Sequence, residues 1–146
     1  QCGGLDCHPI PIEITYGLER VAMFLQNEDS IWNLKWNENI TYKDIWLGFE
    51  KDQCSFNFKE SNPENIRQLF SIYQNEALNL AEKHLTYPAL DFVLKCSHCF
   101  NLLDARGVIS VSDRAQYIEK IRNLAKKVAS SWIDQREQLG HPLIRD

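Results

Sequence analysis

Four side chains that could bind a small charged ligand lie within the stretch IEITYGLER at residues 12–20. On a strand, Glu13 and Thr15 project from the same face, and a carboxylate beside a hydroxyl can accept hydrogen bonds from an ammonium group or from water bound to Mg²⁺. Gly17 leaves room for a ligand to approach the backbone. Arg20 suits a phosphate held by a pair of hydrogen bonds. The spacing therefore indicates an ammonium site beside a phosphate site, although a surface ion pair would use the same residue types.

The elements that would position these side chains are a short strand and a helix. Residues 12–16 alternate apolar and polar side chains and include β-branched residues, a pattern typical of a strand. Gly17 ends this strand, and Arg20 would lie in the first turn of the helix that follows, where backbone N–H groups are free and the helix dipole is positive. The apolar residues of that helix recur at i, i+3, i+4 and i+7: Leu18, Val21, Ala22 and Leu25.

Residues 27–60 give mixed signals. They are rich in aromatic side chains, which are expected to fill a core or to form a patch for a partner. Thr41 could cap a short helix that reaches about residue 51. The sequence SFNF at residues 55–58 looks extended, so this region is predicted to be a mixed connector.

Three longer amphipathic helices are predicted from residue 61 onward. Residues 61–64 fit a capping box with proline in the first turn. Pro88 would begin the second helix and Gly107 would end it. Ser112 with Asp113 would cap the third helix, and Gly140 and Pro142 would end it. Helices of this length joined by short loops are expected to pack as a bundle. The apolar stripes are Ile66, Leu69, Phe70, Tyr73, Ala77, Leu80 and Ala81; Ala89, Phe92, Val93, Cys96, Phe100 and Leu103; and Ile118, Ile121, Ala125, Val128 and Trp132.

Composition narrows the class of protein. A chain of 146 residues fits one domain, or a domain and part of another. The net charge of −4 argues against a chain that grips nucleic acid over its whole surface. No apolar run reaches the roughly 20 residues needed to span a bilayer, so no membrane partner is expected. The odd number of cysteines favours reduced thiols and a cytoplasmic location, and the start at Gln1 is expected to fall within a longer protein.

A short motif and two longer segments of the sequence resemble a known family. Gly17-Leu18-Glu19-Arg20, after a strand and at the start of a helix, resembles motif 3 of the class II aminoacyl-tRNA synthetases. The pattern Glu-x-Thr-x-Gly-Leu-x-Arg is similar to the glycine-specific members. Together with EITYGLERVAMFLQ and FNLLDARGVISVSDRAQYIEKIRNL, it resembles the α subunit of the bacterial heterotetrameric glycyl-tRNA synthetase, from Gly3 to Pro142.

The resemblance implies a role for each candidate residue. Arg20 would bind the γ-phosphate of ATP, supplied with Mg²⁺, and Glu19 would assist at Mg²⁺ or orient Arg20. Glu13 and Thr15 would recognise the ammonium group of glycine, above the tight turn at Gly17. The reaction would be adenylation of glycine followed by its transfer to tRNA(Gly), and it would rest on positioning and charge stabilisation.

The resemblance also implies an architecture and partners. The fold would be mainly α, with a remnant of the class II antiparallel sheet followed by a helical bundle. Residues 1–30 would end the catalytic domain, 31–60 would form a connector, and 61–146 would form a C-terminal helical domain. The partners would be the β subunit, a second α subunit, tRNA(Gly) and glycine. Motifs 1 and 2 lie upstream in the family, so this chain by itself is expected to be inactive.

Two other readings remain open. The chain could be a non-catalytic helical protein-interaction module in which GLER occurs by coincidence. It could also be a metal module built on Cys96, His98 and Cys99, or on Cys2, Cys7 and His8. Because Cys96 falls on an apolar stripe, buried thiols are favoured and no metal site is predicted. The basic side chains of the last helix are expected to face solvent, with a contact to the tRNA acceptor stem as the alternative.

Overall fold

A computed structural model describes residues 1–142 as a mainly helical chain. The helices are α1 (Leu18–Gln26), α2 (Tyr42–Ser55), α3 (Pro63–Glu82), α4 (Thr86–Ala105) and α5 (Val111–Gln138), with a 3₁₀ turn at Ile31–Asn33 and a π-helical turn at Phe56–Glu60. Two compact units divide the chain: one spans residues 11–60, and the other combines residues 1–10 with those from 61 onward. The proposed boundaries at 30 and 60 stay predictions, and residues 143–146 of the predicted helical domain lie outside the described part.

The second unit is a bundle in which α4 packs against α3 and α5, and α3 also contacts α5. This agrees with the predicted helical bundle. Most of the predicted stripes are buried or half-buried, whereas Leu69 and Trp132 are 36% and 42% exposed. Leu124 is buried but is not among the predicted stripe residues, although it lies three residues after the predicted core position Ile121. The buried apolar residues of the bundle are Ile66, Phe70, Ala77, Ala81, Ala89, Val93, Cys96, Cys99, Phe100, Leu102, Leu103, Leu124 and Val128.

Side-chain caps start α3 and α5. Asn62, not Ser61, is the N-cap of α3, and its side chain accepts hydrogen bonds from the backbone N–H groups of Glu64 and Asn65 at 2.9 and 3.2 Å. Ser110, not Ser112, caps α5: its hydroxyl accepts from the N–H of Asp113 at 3.0 Å. The reason is spacing, because Ser110 has an acidic residue three positions later and the pair forms a capping box.

The ends of α4 follow the predicted signals closely. The helix begins at Thr86, so Pro88 lies in its first turn, where a missing N–H leaves no helical hydrogen bond unmade. Gly107, with φ of +63°, stands just after the end of α4. A left-handed residue at this position is the usual way to close a helix.

In the unit at residues 11–60, the predicted strand is not formed. Residues 12–16 have no strand partner, and the pairings among the described residues are two isolated bridges, Cys2 with Leu5 and Lys35 with Thr41. A strand is stable only where a neighbour satisfies its N–H and C=O groups. The predicted remnant of an antiparallel sheet is therefore absent from residues 1–142.

The connector is more helical than its sequence indicates. Thr41 caps α2 as predicted, in a capping box with Asp44, but the helix continues to Ser55 rather than to residue 51. The turn at Phe56–Glu60 then extends it, so the prediction that residues 55–58 are extended is wrong. Four alternating residues are too few to interrupt a helix that already propagates into them.

Candidate functional site

Glu13 and Thr15 lie together on the exposed segment that precedes α1. The Thr15 hydroxyl donates a hydrogen bond to the Glu13 carboxylate. The two side chains therefore lie side by side even though no strand is formed. The bond orients one carboxylate oxygen, and the carboxylate as a whole remains exposed to solvent.

Gly17 is the N-cap of α1, with φ of −77° and ψ of 106°. These angles are open to any residue, so the glycine is not required by the backbone conformation. A Cβ atom at this position would meet no described atom within 4 Å. The space beside the turn is thus open.

Arg20 is the third residue of α1 and is exposed. Gly17 has no side chain that could accept a hydrogen bond, so no side-chain cap is made at this helix end. The guanidinium group therefore lies on a first turn whose amide groups have no side-chain partner. No hydrogen bond or ion pair joins Arg20 to Glu13 or to Glu19, all three of which are described.

Glu19 has a partner that is distant in the sequence. The Tyr42 hydroxyl donates a hydrogen bond of 3.3 Å to the Glu19 carboxylate. Desolvation, with the nearby Glu19 charge as the second cause, raises the pKa of Tyr42, so its hydroxyl stays protonated and remains a donor. The predicted cap at Thr41 places Tyr42 in a first helical turn, but no local signal indicates a contact across 23 positions.

A cavity of about 340 Å³ lies next to this contact. Its lining is largely apolar and aromatic, and Glu19 and Lys35 supply the charged groups. Leu18, the first residue of α1, lines the cavity and is 75% exposed. Three of the four residues of the apolar stripe predicted for α1, Leu18, Val21 and Leu25, are therefore exposed, and α1 has no buried residue.

The cysteines of α4 are buried, as predicted. Cys96 and Cys99 are 0% and 2% exposed, and the Cys96 thiol lies 3.7 Å from the Phe70 carbonyl oxygen. Burial, and secondly the neighbouring Cys99, raises the pKa of Cys96 to about 12. His98 is exposed, and residues 1–142 contain no group of three or more potential metal ligands.

None of the helices within residues 1–142 combines the length and the apolar character that a membrane span requires.

A comparison with known protein families identifies the chain. Residues 1–137 match the family described as glycyl-tRNA synthetase alpha subunit. The match includes the candidate site, α1, the connector and nearly all of the helical bundle. This chain belongs to the glycyl-tRNA synthetase alpha subunit family.

Proposed function

We propose that this chain carries part of the glycine-activating site of a class II glycine–tRNA ligase. The observation that carries the proposal is the arrangement at residues 13–20, found in a chain of this family. A carboxylate and a hydroxyl lie side by side, and an arginine follows on the first turn of a helix without a side-chain cap. These are acceptors for an ammonium group and donors for a phosphate.

Glu13 and Thr15 recognise the ammonium group of glycine. The Thr15 hydroxyl already donates to Glu13, so its lone pairs and the remaining carboxylate oxygen are free to accept from the ligand. An amino acid without a side chain offers little else to hold. The space beside Gly17 is open, so the exclusion of larger substrates must come from the rest of the complete site.

Arg20 binds the γ-phosphate of ATP, whose negative charge Mg²⁺ would partly neutralise. Glu19 is the neighbour of Arg20 on α1. A glycine carboxylate oxygen attacks the α-phosphorus, and the bond to pyrophosphate breaks to give glycyl adenylate. A ribose hydroxyl of tRNA(Gly) then attacks the glycyl carbonyl, and AMP leaves. The chain's contribution to the first step is the placement of charged groups.

The helical bundle serves assembly rather than chemistry. Its interior is apolar, and burial raises the pKa of both Cys96 and Cys99, which disfavours the reactive thiolate form. We propose that it docks the β subunit in a cytoplasmic heterotetramer that includes a second α subunit, and that activity requires this complete enzyme. Capture of the β subunit by the 146-residue chain tests the docking, and failure to bind would count against it.

The activity test uses the complete α subunit with its β subunit and measures glycine-dependent exchange between ATP and pyrophosphate. Arg20→Ala is expected to lower kcat/KM for ATP by about 100-fold or more, the scale of one charge-stabilising donor. Arg20→Lys keeps the charge but not the bidentate geometry, so it restores only part of this loss.

Arg122→Ala is the matched control, because it removes an exposed arginine from α5 in the other unit and should leave exchange unchanged. Unchanged kinetics for Arg20→Ala would refute the assignment. They would favour the alternative of a non-catalytic interaction module.

A further inference from the structure

Helix α1 needs support from outside itself. It has nine residues, none of which is buried, and its N-cap has no side chain. Isolated helices shorter than about 12–15 residues are marginal in water. Whatever holds α1 therefore also determines where its first turn places Arg20.

The connector supplies that support at both ends of the helix. At the C-terminal end, the Gln26 side chain accepts a hydrogen bond from the Lys35 N–H at 2.8 Å and donates one to the Lys35 carbonyl at 3.1 Å. At the N-terminal end, Tyr42 donates to Glu19. Two attachments at opposite ends restrict both the tilt of α1 and its rotation about its own axis.

Tyr42 is itself well held. Its backbone N–H donates to the Leu34 carbonyl at 2.7 Å, and Leu34 is the one buried residue of the unit at residues 11–60. Its ring contacts those of Trp32 and Trp46, with centroid distances of 6.1 and 6.2 Å. The hydroxyl is thus presented to Glu19 from a fixed ring, and little side-chain freedom is lost when the bond forms.

The contact matters because Glu19 and Arg20 are neighbours on the first turn of α1. Successive residues on a helix point in different directions, so holding Glu19 on one side leaves Arg20 directed to another. The bond from Tyr42 to Glu19 therefore restrains the first turn of α1, and with it the direction in which Arg20 projects.

We infer that Tyr42 is a positioning residue for the ATP site: it holds Glu19, and with it the first turn of α1, so that Arg20 stays directed toward phosphate. This inference rests on the proposed function, since it gives Tyr42 a role only if Arg20 binds ATP. Tyr42 acts through Glu19 and makes no contact with the substrate.

Tyr42→Phe in the complete α/β enzyme tests the inference, because it removes the hydroxyl and keeps the ring contacts with Trp32 and Trp46. In the exchange assay, the KM for ATP is expected to rise about threefold to tenfold, the range that one hydrogen bond supports. The KM for glycine and the thermal midpoint should stay unchanged. The matched control is Tyr87→Phe on α4, an exposed tyrosine of the other unit.

Glu19→Ala tests whether Tyr42 acts through the Glu19 carboxylate. If Tyr42 acts by restraining Glu19, Tyr42→Phe should have no further effect on the KM for ATP once the carboxylate is absent. An unchanged KM for ATP in Tyr42→Phe would overturn the inference, and so would equal effects of Tyr42→Phe in the presence and absence of Glu19. A lowered thermal midpoint with parallel changes for ATP and glycine would assign Tyr42 a purely structural role and also overturn it.

Arg20→Ala, assayed in parallel, distinguishes the two proposals. If it abolishes exchange while Tyr42→Phe has no effect, the proposed function stands and the inference alone fails. If Arg20→Ala has no effect on ATP, both fail together, because the positioned group then has no ligand to bind.

Discussion

Replacement of Gly3 by alanine should destabilise the helical bundle more than the same replacement at Gly4. Both glycines form the turn between Cys2 and Leu5, whose backbones exchange hydrogen bonds of 2.8 and 3.0 Å. Both have left-handed backbone angles, with φ of +56° and +80°. The substitutions therefore share one unfavourable term, and they differ in what the new methyl group meets.

At Gly3 the new Cβ atom would lie 2.7 Å from the Ala125 carbonyl oxygen and 3.1 Å from the Lys126 Cα. Both contacts are with the backbone of α5, which cannot rotate aside as a side chain can. At Gly4 a Cβ atom would meet nothing within 4 Å. The turn must therefore move away from α5 in Gly3→Ala but not in Gly4→Ala.

The magnitude follows from these two terms. A left-handed alanine costs about 1–2 kcal/mol at either position. Overpacking against a fixed backbone adds about 1–3 kcal/mol at Gly3. The difference between the variants is thus expected to be about 1–3 kcal/mol, with an upper limit set by what docking of the turn contributes, since the turn can leave α5 altogether.

Urea unfolding of the 146-residue chain, followed by circular dichroism at a helix wavelength, measures this difference directly. Hydrogen exchange in peptides from residues 1–10 then reports whether the turn has left α5, and it should accelerate in Gly3→Ala more than in Gly4→Ala. Equal losses of stability in the two variants, with equal exchange, would refute the contact between Gly3 and α5.

Two further outcomes follow from the bundle. In the native chain, exposed Cys2 and Cys54 should react rapidly with a thiol reagent, whereas buried Cys96 and Cys99 should react only after unfolding. The reason is that burial raises the pKa of both Cys96 and Cys99. Mass spectrometry of the labelled peptides measures the extent of reaction at each cysteine. The hydrogen bonds from Ser110 hold the pKa of Asp113 below its ordinary value of 3.8. The stability that the ionised carboxylate contributes is therefore present above pH 3.8 and is lost as pH falls through the lower pKa of the folded state. The urea midpoint of wild type should exceed that of Asp113→Asn at about pH 6, and a difference that stays constant down to about pH 2 would contradict this.

The parts of the fold that could be predicted from the sequence are those determined by nearby residues. The capping box of α2, the proline in the first turn of α3 and the glycine after α4 all act within a few positions, and each begins or ends its helix as expected. The wrong cap at Ser112 has the same origin. Ser110 and Ser112 are both good N-cap residues, and only the acid three positions further on distinguishes them.

The predictions that failed are those that depend on distant partners. Residues 12–16 have the alternation of a strand, but a strand is completed by its neighbour, and no described segment supplies one. The stripe of α1 has helical periodicity, yet Leu18 and Leu25 are about three-quarters exposed. Periodicity identifies which face of an element is apolar, and it does not show what covers that face.

The candidate site also combines contacts between residues close in the sequence with contacts between distant ones, and this difference bears on how the site would work. The contact between Glu13 and Thr15 follows from their spacing, and it forms even without a sheet. The position of Arg20 instead depends on Lys35 and Tyr42, which contact α1 through hydrogen bonds with Gln26 and Glu19 rather than through a shared apolar core. Such contacts specify direction at little net stability, since each contributes about 1 kcal/mol. Conservative substitutions in the connector should therefore alter the affinity for ATP before they alter folding.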